Sequence, residues 1–297
     1  MKTAIIDGFG LLYRSHYAFP MLTTSTGLSS GCVYGFIVAL QSLKKKWPNF
    51  HFIVAWDSKP VRKKELYAAY KENRSSAPLS NPLVDIRSIL SCINVSQVHM
   101  QGEEADDVIA SLVDKSDDLV YVFSGDKDLL QLVQDGKVVV VRPKSGNREE
   151  KFYDEEMVLK EFGVRPDGIA AYLAFRGDTV DNIPGIPRVK SSLISNLVNK
   201  YKNPQNIFDN IEKETLTPFQ RSGFIANMSQ VMINFQLTQL KRDLILELSN
   251  GSANEEYLQE CLNKYEIKAV KPQTLIALFD KESEFSNRKT IQVVSLF

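Results

Sequence analysis

A chain of 297 residues is long enough for one large α/β domain or for a core with a smaller accessory domain. Its hydrophobic content of 43% can build a sizeable core and argues against a disordered chain. The 36 basic residues balance the 36 acidic ones, and this zero net charge argues against a histone-like basic protein and against a protein with an acidic tail.

Cysteine and histidine are too sparse for a disulfide scaffold or a zinc site. The three cysteines lie far apart, none of them in a C-x-x-C pair, and the three histidines are scattered. Free thiols fit a reducing compartment. No segment approaches the roughly 20 apolar residues of a membrane span, and Asp7 and Arg14 interrupt the apolar N-terminus too early for a signal peptide. We therefore expect a cytoplasmic protein with no membrane partner.

The first half of the chain alternates between apolar strands and helical patterns. In chain order the predicted elements are strand Thr3–Ile6, helix Val33–Lys45, strand Phe52–Trp56, helix Pro82–Cys92, strand Val95–Met100, helix Asp106–Lys115, strand Leu119–Phe123 and strand Val138–Val141. This alternation predicts βαβ units and a parallel sheet. The continuous apolar strands indicate a sheet that is covered on both faces.

The second half is predicted to be mostly helical. Asp154 can cap a helix over Glu155–Phe162, and Pro166 is placed to begin the next helix. Phe208–Leu248 is expected to form helices, with one strand as an alternative for part of it. The predicted organisation is an α/β core over 1–153, a helical region over 154–280 packed on that core, and a tail over 281–297.

Acidic residues recur where the predicted strands end. Asp7 and Asp57 follow the first two strands, an acidic run over 103–107 follows the third, and Asp126 and Asp128 follow the fourth. Since the carboxyl ends of parallel strands line one edge of a sheet, we expect these acids to lie together, although any single one is explained equally well as a helix cap. Carboxylates without histidine or cysteine favour magnesium or manganese, and so rich a set suggests two ions, about 3.5–4 Å apart, as in phosphodiester hydrolysis.

Two further acids occur in the second half. Asp178 and Asp181 are three residues apart, a spacing that places them on one side of a helical turn. They could then face the same metal-binding edge. Taken alone, the segment is equally compatible with a loop that carries an Asx cap.

Six motifs occur in order between residue 3 and about residue 200. They are Ile6-Asp7-Gly8 with Leu12-Tyr13-Arg14, Ala55-Trp56-Asp57, Tyr70-Lys71-Glu72-Asn73-Arg74, Gly102-Glu103-Glu104-Ala105-Asp106-Asp107-Val108-Ile109, Ser124-Gly125-Asp126-Lys127-Asp128-Leu129 and Gly177-Asp178-Thr179-Val180-Asp181-Asn182-Ile183-Pro184-Gly185. With them the chain resembles the flap endonucleases and 5′→3′ exonucleases, a family that includes the nuclease domain of bacterial DNA polymerase I and stand-alone phage relatives. The resemblance implies a PIN-like α/β core with a mostly parallel central sheet, a helical arch, and a helical C-terminal half that contains a helix–turn–helix DNA-binding element.

The resemblance also implies roles for individual residues. Asp7, Asp57, Glu104 and Asp106 would hold a first Mg²⁺ or Mn²⁺ ion, and Asp126, Asp128, Asp178 and Asp181 a second one. Asp107 would be a shared acid beside the ions. Lys71 and Arg74, which lie three residues apart, would contact the scissile phosphate and offset its developing charge.

The segment 59–82 corresponds to the helical arch through which a single-stranded 5′ end is thought to pass. Residues 44–74 contain nine lysines and arginines against three acids, with tyrosines between them. Cations that track a backbone, together with aromatic stacking platforms, suit sequence-tolerant binding of single strands, whereas composition alone would also fit a solvated charged helix. The expected DNA-binding residues of the arch and its surroundings are Tyr13, Arg62, Lys63, Lys64, Tyr67, Tyr70 and Lys127.

The helix–turn–helix of the family usually has glycines in its turn and often a bound potassium ion. In this chain Arg188 and Lys190 take positions that glycine normally holds, and side chains there hinder a close approach of backbone to phosphate. This substitution argues against the potassium site. Because residues 182–202 contain four bases and no acid, we expect Arg188 and Lys190 to contact duplex phosphates directly, with a steep salt dependence.

The C-terminus resembles the short peptide with which bacterial replication proteins bind the sliding clamp. The candidate contacts are Gln292, Leu296 and Phe297, which follow a polar stretch that could serve as a tether. A final strand or a frayed apolar end is the alternative, because such short motifs are common by chance.

The expected function is that of a divalent-metal-dependent 5′ nuclease, active as a monomer on DNA with single-stranded 5′ ends, flaps or RNA primers during replication and repair. A non-catalytic protein that binds branched DNA and a PIN-type nuclease acting on RNA are the alternatives. The charge distribution agrees with the first hypothesis. Residues 101–181 contain 19 acids and 10 bases, whereas the arch and the helix–turn–helix are basic, so the neutral total conceals an acidic pocket with basic flanks.

Overall fold

The computed structural model describes residues 2–73, 79–144 and 149–280. Its strands are β1 (Lys2–Asp7), β2 (His51–Trp56), β3 (Ser96–His99), β4 (Leu119–Phe123), β5 (Val138–Arg142) and β6 (Lys151–Tyr153). Its α-helices are α1 (Gly8–Ala18), α2 (Gly31–Lys46), α3 (Val61–Leu66), α4 (Ser80–Cys92), α5 (Ala105–Asp114), α6 (Glu155–Phe162), α7 (Ile169–Arg176), α8 (Ser191–Tyr201), α9 (Pro204–Asn210), α10 (Pro218–Ala226), α11 (Met228–Thr238), α12 (Glu255–Lys264) and α13 (Pro272–Phe279).

The chain forms two compact units. The first unit contains the described residues within 1–58, 76–124 and 243–297, and the second contains those within 59–75 and 125–242. This grouping differs from the predicted division after residue 153, and that division stays a prediction. In the part of the chain that the structure describes, no helix is long and apolar enough to cross a membrane.

The first unit is built on a parallel sheet, as the sequence predicts. Its four strands lie in the order β3-β2-β1-β4, and every neighbouring pair is parallel. In this register Asp7 lies opposite Ala55, and Ile6 lies opposite Phe123. The central strands are apolar and almost entirely buried, as expected for a sheet covered on both faces. The register brings the carboxyl ends of β1 and β2 side by side.

The end of the described chain returns to the first unit. Asn254 caps α12 by accepting a hydrogen bond from the Tyr257 amide, and Pro272 begins α13. The ring of Phe279 then meets that of Phe52 edge-on, with centroids 5.9 Å apart. The buried aromatic contact therefore attaches α13 to the sheet of its own unit.

The second unit combines an antiparallel pair of strands with helices. β5 and β6 pair with Val140 opposite Tyr153. Asp154 caps α6 through the Met157 amide, as predicted, and Gly163 ends it with a left-handed φ of 72°. The strand that was an alternative within Phe208–Leu248 is absent from the described residues there. Helices α9–α11 and then irregular backbone occupy that segment. Thr217 and Gln220 form a capping box that begins α10.

Candidate metal-binding and nuclease site

In the first unit, Asp7 and Asp57 lie at the carboxyl ends of adjacent parallel strands. Asp7 is the N-cap of α1: its carboxylate accepts hydrogen bonds from the Gly10 amide at 2.8 Å and from the Ser124 hydroxyl at 2.7 Å. Asp57 accepts one from the Ala105 amide at 2.9 Å, at the start of α5. Hydrogen bonds of this kind favour a charged carboxylate and fix its direction.

Three more acids lie at the N-terminus of α5. Glu104 is the N-cap residue, and Asp106 and Asp107 occupy the first turn. All three are buried, and Asp107 has no exposed surface. The partial positive charge of a helix N-terminus stabilises acids at this position. The Asp57 carboxylate holds the first amide of α5, and the first unit contains all four acids assigned to the first ion.

The second unit contains the remaining assigned acids. Asp126 and Asp128 are two residues apart, and the Asp126 carboxylate accepts a hydrogen bond from the Asp128 amide at 2.9 Å. Burial, followed by the charge of Asp181, raises the pKa of Asp126. Burial, followed by the charge of Asp126, raises the pKa of Asp128 well above its ordinary value. Both shifts follow from burial and from neighbouring acids, whose charge a bound cation would offset.

Asp178 and Asp181 lie in a tight hairpin rather than in the helical turn that their spacing suggests. Asp178 and Ile183 exchange two backbone hydrogen bonds of 2.8 and 2.7 Å, which close a four-residue turn. The two chain segments that flank the hairpin approach each other closely at Gly177 and Gly185. A Cβ on Gly177 would lie 2.3 Å from the Gly185 amide nitrogen, and one on Gly185 would lie 2.1 Å from the Arg176 carbonyl oxygen, so both positions need glycine. The turn places Asp178 and Asp181 in the second unit with Asp126 and Asp128.

Lysines neutralise part of this second acidic set. The Lys127 ammonium lies 2.9 Å from the Asp178 carboxylate, and the Lys71 ammonium lies 3.6 Å from that of Asp181. The Tyr70 hydroxyl also donates to Asp181, at 3.3 Å. Both carboxylates of the hairpin therefore have a cationic neighbour in the second unit.

The residues present fit divalent ions by their chemistry. All eight assigned ligands offer hard oxygen atoms, the donors that magnesium and manganese prefer. The Asp128 Oδ1 atom is buried and has no hydrogen-bond partner among the described residues, as expected of an atom that awaits a cation. Within those same residues no group of three His, Cys, Asp or Glu side chains is already close enough to hold an ion.

Two of the expected DNA contacts in the arch are buried in this structure. Tyr70 is 1% exposed and packs with Ile183 and Leu237, so its ring is not a stacking platform in this conformation. Lys63 is 2% exposed, with its ammonium 5.8 Å from the centre of the Tyr70 ring. Lys63 belongs to α3, which packs on α11, and Tyr70 lies in the segment that follows α3.

The other expected DNA contacts remain partly or fully accessible. Lys64 is exposed, and Arg62, Tyr67, Lys127 and Tyr13 are half-buried. The Arg62 Nη1 atom lies 3.5 Å from the Gln236 carbonyl, whereas its buried Nε and Nη2 atoms have no hydrogen-bond partner in the described part of the chain.

The helix–turn–helix prediction corresponds to α7, the connection over 177–190 and α8. Lys190 is the exposed N-cap residue of α8. Arg188 is also exposed, has a left-handed φ of 60° and stacks over the Phe219 ring at 6.0 Å. A left-handed backbone is what a glycine would adopt easily, so Arg188 keeps the glycine-type conformation and adds a cation. Arg74, Gln292, Leu296 and Phe297 lie outside the described residues.

Sequence reasoning missed Asn234, whose side chain binds the backbone on both sides of the hairpin. Asn234 on α11 is fully buried, and its amide donates to the Ala174 carbonyl at 2.9 Å and to the Pro184 carbonyl at 2.7 Å. These bonds hold the two chain segments that flank the hairpin. A single asparagine in a helix carries no sequence signal for this role, because its partners are backbone atoms 50 and 60 residues away.

Comparison with known families matches most of the chain. Residues 2–163 match a 5′–3′ exonuclease, N-terminal resolvase-like domain, and residues 164–259 match a 5′–3′ exonuclease, C-terminal SAM fold. A 5′–3′ exonuclease of Aquifex aeolicus is 39% identical over 84% of this chain and 85% of its own length. DNA polymerase I of Pseudomonas aeruginosa is 34% identical over 95% of this chain, which spans 30% of that larger protein.

Solved structures show the same fold. The zinc-bound T5 5′-exonuclease superposes with a TM-score of 0.64 at 20% identity and covers 96% of this chain and 99% of its own. Flap endonuclease-1 from Methanococcus jannaschii superposes with a TM-score of 0.59 at 14% identity and covers 96% of this chain and 93% of its own. These similarities confirm the predicted fold class, in which a mostly parallel sheet precedes a helical region.

Proposed function

Because this chain belongs to the 5′→3′ exonuclease family, we propose that it is a divalent-metal-dependent nuclease that acts at junctions of single-stranded and duplex DNA. Its substrates are single-stranded 5′ ends, 5′ flaps and RNA primers, removed during replication and repair. The family membership and a relative of similar length that is named a 5′–3′ exonuclease support the nuclease activity. The preference for junctions and flaps rests on the arch and on the helix–turn–helix.

The observation that carries the proposal is the placement of acids in both units. Asp7 and Asp57 end adjacent strands of the first unit, and Glu104 and Asp106 lie where α5 begins. The second unit supplies Asp126 and Asp128 together with the hairpin that bears Asp178 and Asp181. A stable fold gains nothing by burying so many like charges, so these side chains are better explained by ligation of Mg²⁺ or Mn²⁺.

In this proposal different residues hold the metal ions, stabilise the scissile phosphate and bind the duplex. Asp7, Asp57, Glu104 and Asp106 hold one ion, and Asp126, Asp128, Asp178 and Asp181 hold the other. When bound, two divalent ions supply positive charge that offsets the charge developing on the scissile phosphate. By the family resemblance, Lys71 and Arg74 would contribute positive charge to the scissile phosphate. Arg188 and Lys190 hold duplex phosphates and thereby orient the junction.

The test is cleavage of a 5′-flap duplex with a labelled 5′ end in Mg²⁺, in Mn²⁺ and with EDTA. The wild type should release the flap only with a divalent ion. Replacing Asp126 and Asp128 together by Ala should lower the rate at least about 10³-fold, since the charge stabilisation of one ion is lost. Asp167→Ala with Asp209→Ala removes two exposed acids of the same unit and is the matched control.

Two outcomes would contradict the proposal in different ways. A wild type that binds the flap duplex but cleaves nothing with either ion would favour the non-catalytic DNA-binding alternative. Normal cleavage by the double variant would leave the activity standing and remove the assignment of the second ion to these residues.

The C-terminal tail carries a separate part of the proposal. Gln292, Leu296 and Phe297 are proposed to bind a sliding clamp, on the strength of the peptide pattern alone. Deleting residues 292–297 should abolish retention on an immobilised clamp and leave cleavage of the flap duplex unchanged. Clamp binding that survives the deletion would end this part of the proposal.

A further inference from the structure

Two residues with left-handed backbone meet in the second unit beside the acidic hairpin. Lys71 has a φ of 54° and Asn182 a φ of 57°. Lys71 belongs to the segment that follows α3, and Asn182 is the last residue of the hairpin turn. A left-handed conformation costs a lysine roughly 1–2 kcal/mol, whereas asparagine tolerates it well. A strained residue in a site persists only where its surroundings hold it.

Three hydrogen bonds join the two segments around these residues. The Asn182 side-chain amide donates to the Ala69 carbonyl at 2.7 Å, and the Asn73 side-chain amide donates to the Thr179 carbonyl at 2.8 Å. Between them the Lys71 backbone amide donates to the Asp181 carbonyl at 2.9 Å. Each segment therefore gives the other an asparagine donor, and Lys71 is enclosed between the two asparagines.

The enclosed backbone determines where the Lys71 side chain can reach. Its ammonium lies 3.6 Å from the Asp181 carboxylate and 5.0 Å from the centre of the Tyr70 ring. Tyr70, the neighbour of Lys71 in the chain, is buried and packs with Ile183 and Leu237. A relaxation of Lys71 to an ordinary φ would swing its side chain away from Asp181, since the direction of a Cα–Cβ bond follows the backbone dihedrals.

We propose that Asn73 and Asn182 form a latch that positions Lys71 for the scissile phosphate. This inference rests on the proposed function, because it gives the two asparagines a task only if Lys71 acts on substrate. The asparagines are positioning residues: they touch backbone carbonyls and act through the lysine. The latch also attaches the arch segment to the hairpin that carries Asp178 and Asp181.

The test uses Asn182→Gly, Asn73→Ala, Lys71→Ala and the double variant Lys71→Ala/Asn182→Gly, all as the full chain. Glycine adopts a positive φ freely, so Asn182→Gly removes the side-chain hydrogen bond without new backbone strain. Each single variant should lower the single-turnover cleavage rate about 10–100-fold, because small misplacements of a charged group at the reacting atoms are costly. The Kd for the flap duplex, measured in Ca²⁺, should change less than about twofold.

The control variant is Asn206→Ala. The exposed Asn206 side chain also donates to a backbone carbonyl, that of Tyr201 at 3.1 Å, but in another part of the second unit. Its removal should leave the rate and the Kd unchanged. A comparable loss of rate in this control would show that any missing surface hydrogen bond slows the enzyme.

Epistasis with Lys71 separates positioning from a general structural role. In the Lys71→Ala background, Asn182→Gly should cause no further loss of rate, since the residue through which it acts is gone. Losses that multiply would overturn the latch while leaving the nuclease proposal intact. A Lys71→Ala variant that cleaves at the normal rate would refute the catalytic role of Lys71 itself.

Amide hydrogen exchange gives a readout that needs neither metal nor DNA. The Lys71 amide should exchange at least about 10-fold faster in Asn182→Gly and in Asn73→Ala, with an unchanged Tm, because only the local opening becomes easier. Unchanged protection of this amide in both variants would overturn the proposal. A Tm that falls in parallel with the protection would also overturn it, in favour of a contribution to global stability.

Discussion

The two acidic sets of this protein are held by different forces. In the first unit Asp7 and Asp57 accept hydrogen bonds from backbone amides at the starts of α1 and α5, and Asp7 accepts another from a hydroxyl. In the second unit Asp126 and Asp128 are crowded and have raised pKa values, and Asp178 has a lysine as its ionic partner. The hydrogen bonds of Asp7 and Asp57 therefore stabilise the metal-free fold, whereas the crowded charges of Asp126 and Asp128 destabilise it.

This difference predicts that removing a carboxylate from either set lowers the activity, but that the stability of the metal-free fold falls for the first set and rises for the second. A carboxylate that caps a helix stabilises the fold whether or not metal is present. A carboxylate buried beside like charges destabilises the metal-free fold and becomes favourable only when a cation is bound. Measurements of stability with and without a divalent ion can therefore distinguish the two sets.

The largest expected effect is on activity, from Asp7→Ala. The substitution removes a proposed ligand of the first ion and should lower the cleavage rate about 10³-fold. It also removes the N-cap of α1 and should reduce the metal-free free energy of unfolding by about 1 kcal/mol. Rates on the flap duplex and urea unfolding measure the two effects.

Asp154→Ala is the matched control for Asp7→Ala. Asp154 caps α6 through a 2.7 Å hydrogen bond from the Met157 amide and is exposed. Its loss should cost a similar amount of stability and no activity. An Asp7→Ala protein that is as stable as the wild type would show that the first set is not part of the scaffold.

A smaller effect of opposite sign is expected for Asp128→Asn. The change removes one charge from a crowded buried group, so at pH 7 the metal-free Tm should rise by about 2–4 °C. The stabilisation that Mg²⁺ gives the wild type should shrink in the variant. Scanning calorimetry with EDTA and with Mg²⁺ measures both, and Asp209→Asn, an exposed acid of the same unit, should change the Tm little.

The same variant has a pH dependence with a definite sign. The pKa of Asp128 is raised by folding, so the folded protein binds this proton more tightly than the unfolded chain. The contribution of Asp128 to the stability of the metal-free wild type is therefore most favourable at low pH and is lost as the pH rises through the raised pKa. The advantage of Asp128→Asn should be greatest at neutral pH and should fade toward the ordinary aspartate pKa. An advantage that grows on acidification would contradict the raised pKa.

The smallest effect is expected from Lys127→Met, which removes the ionic partner of Asp178. Without metal the Tm should fall by less than about 2 °C, since a partly exposed pair contributes little. With saturating Mg²⁺ the difference should nearly vanish, because the bound ion then neutralises Asp178. Lys151→Met, which breaks a 3.1 Å pair with Glu161 in the same unit, should have the same small effect in both conditions. A Lys127→Met effect that is independent of Mg²⁺ would contradict the comparison.

The sheet and the acids at its edge were predictable because both follow local patterns. The apolar runs over Phe52–Trp56 and Leu119–Phe123 match β2 and β4, and a parallel sheet places the residues after such strands on one edge. The predicted helix over Asp106–Lys115 agrees with α5 to within one residue at each end. These features depend on periodicity and on strand polarity, which neighbouring residues determine.

The hairpin and the arch were harder to predict. The spacing of Asp178 and Asp181 suggests a helical turn, yet a pair of facing glycines and the bonds between Asp178 and Ile183 make it a hairpin. Basic residues with interleaved tyrosines suggest an exposed surface, yet Tyr70 is buried. Composition cannot tell which side of a short helix faces the protein, since that depends on the distant residues it packs against.

By itself the sequence determines the fold class, the family and the identity of the acids at the predicted metal site, because local periodicity and the ordered motifs are sufficient to predict each of them. Only the tertiary structure decided how the acids are held, which lysines neutralise them, and that Asn73 and Asn182 enclose a strained Lys71. The reason is physical. Burial, pKa shifts and side-chain hydrogen bonds arise between groups that are about 50 to 120 residues apart in the chain, and such distances exist only once the chain has folded.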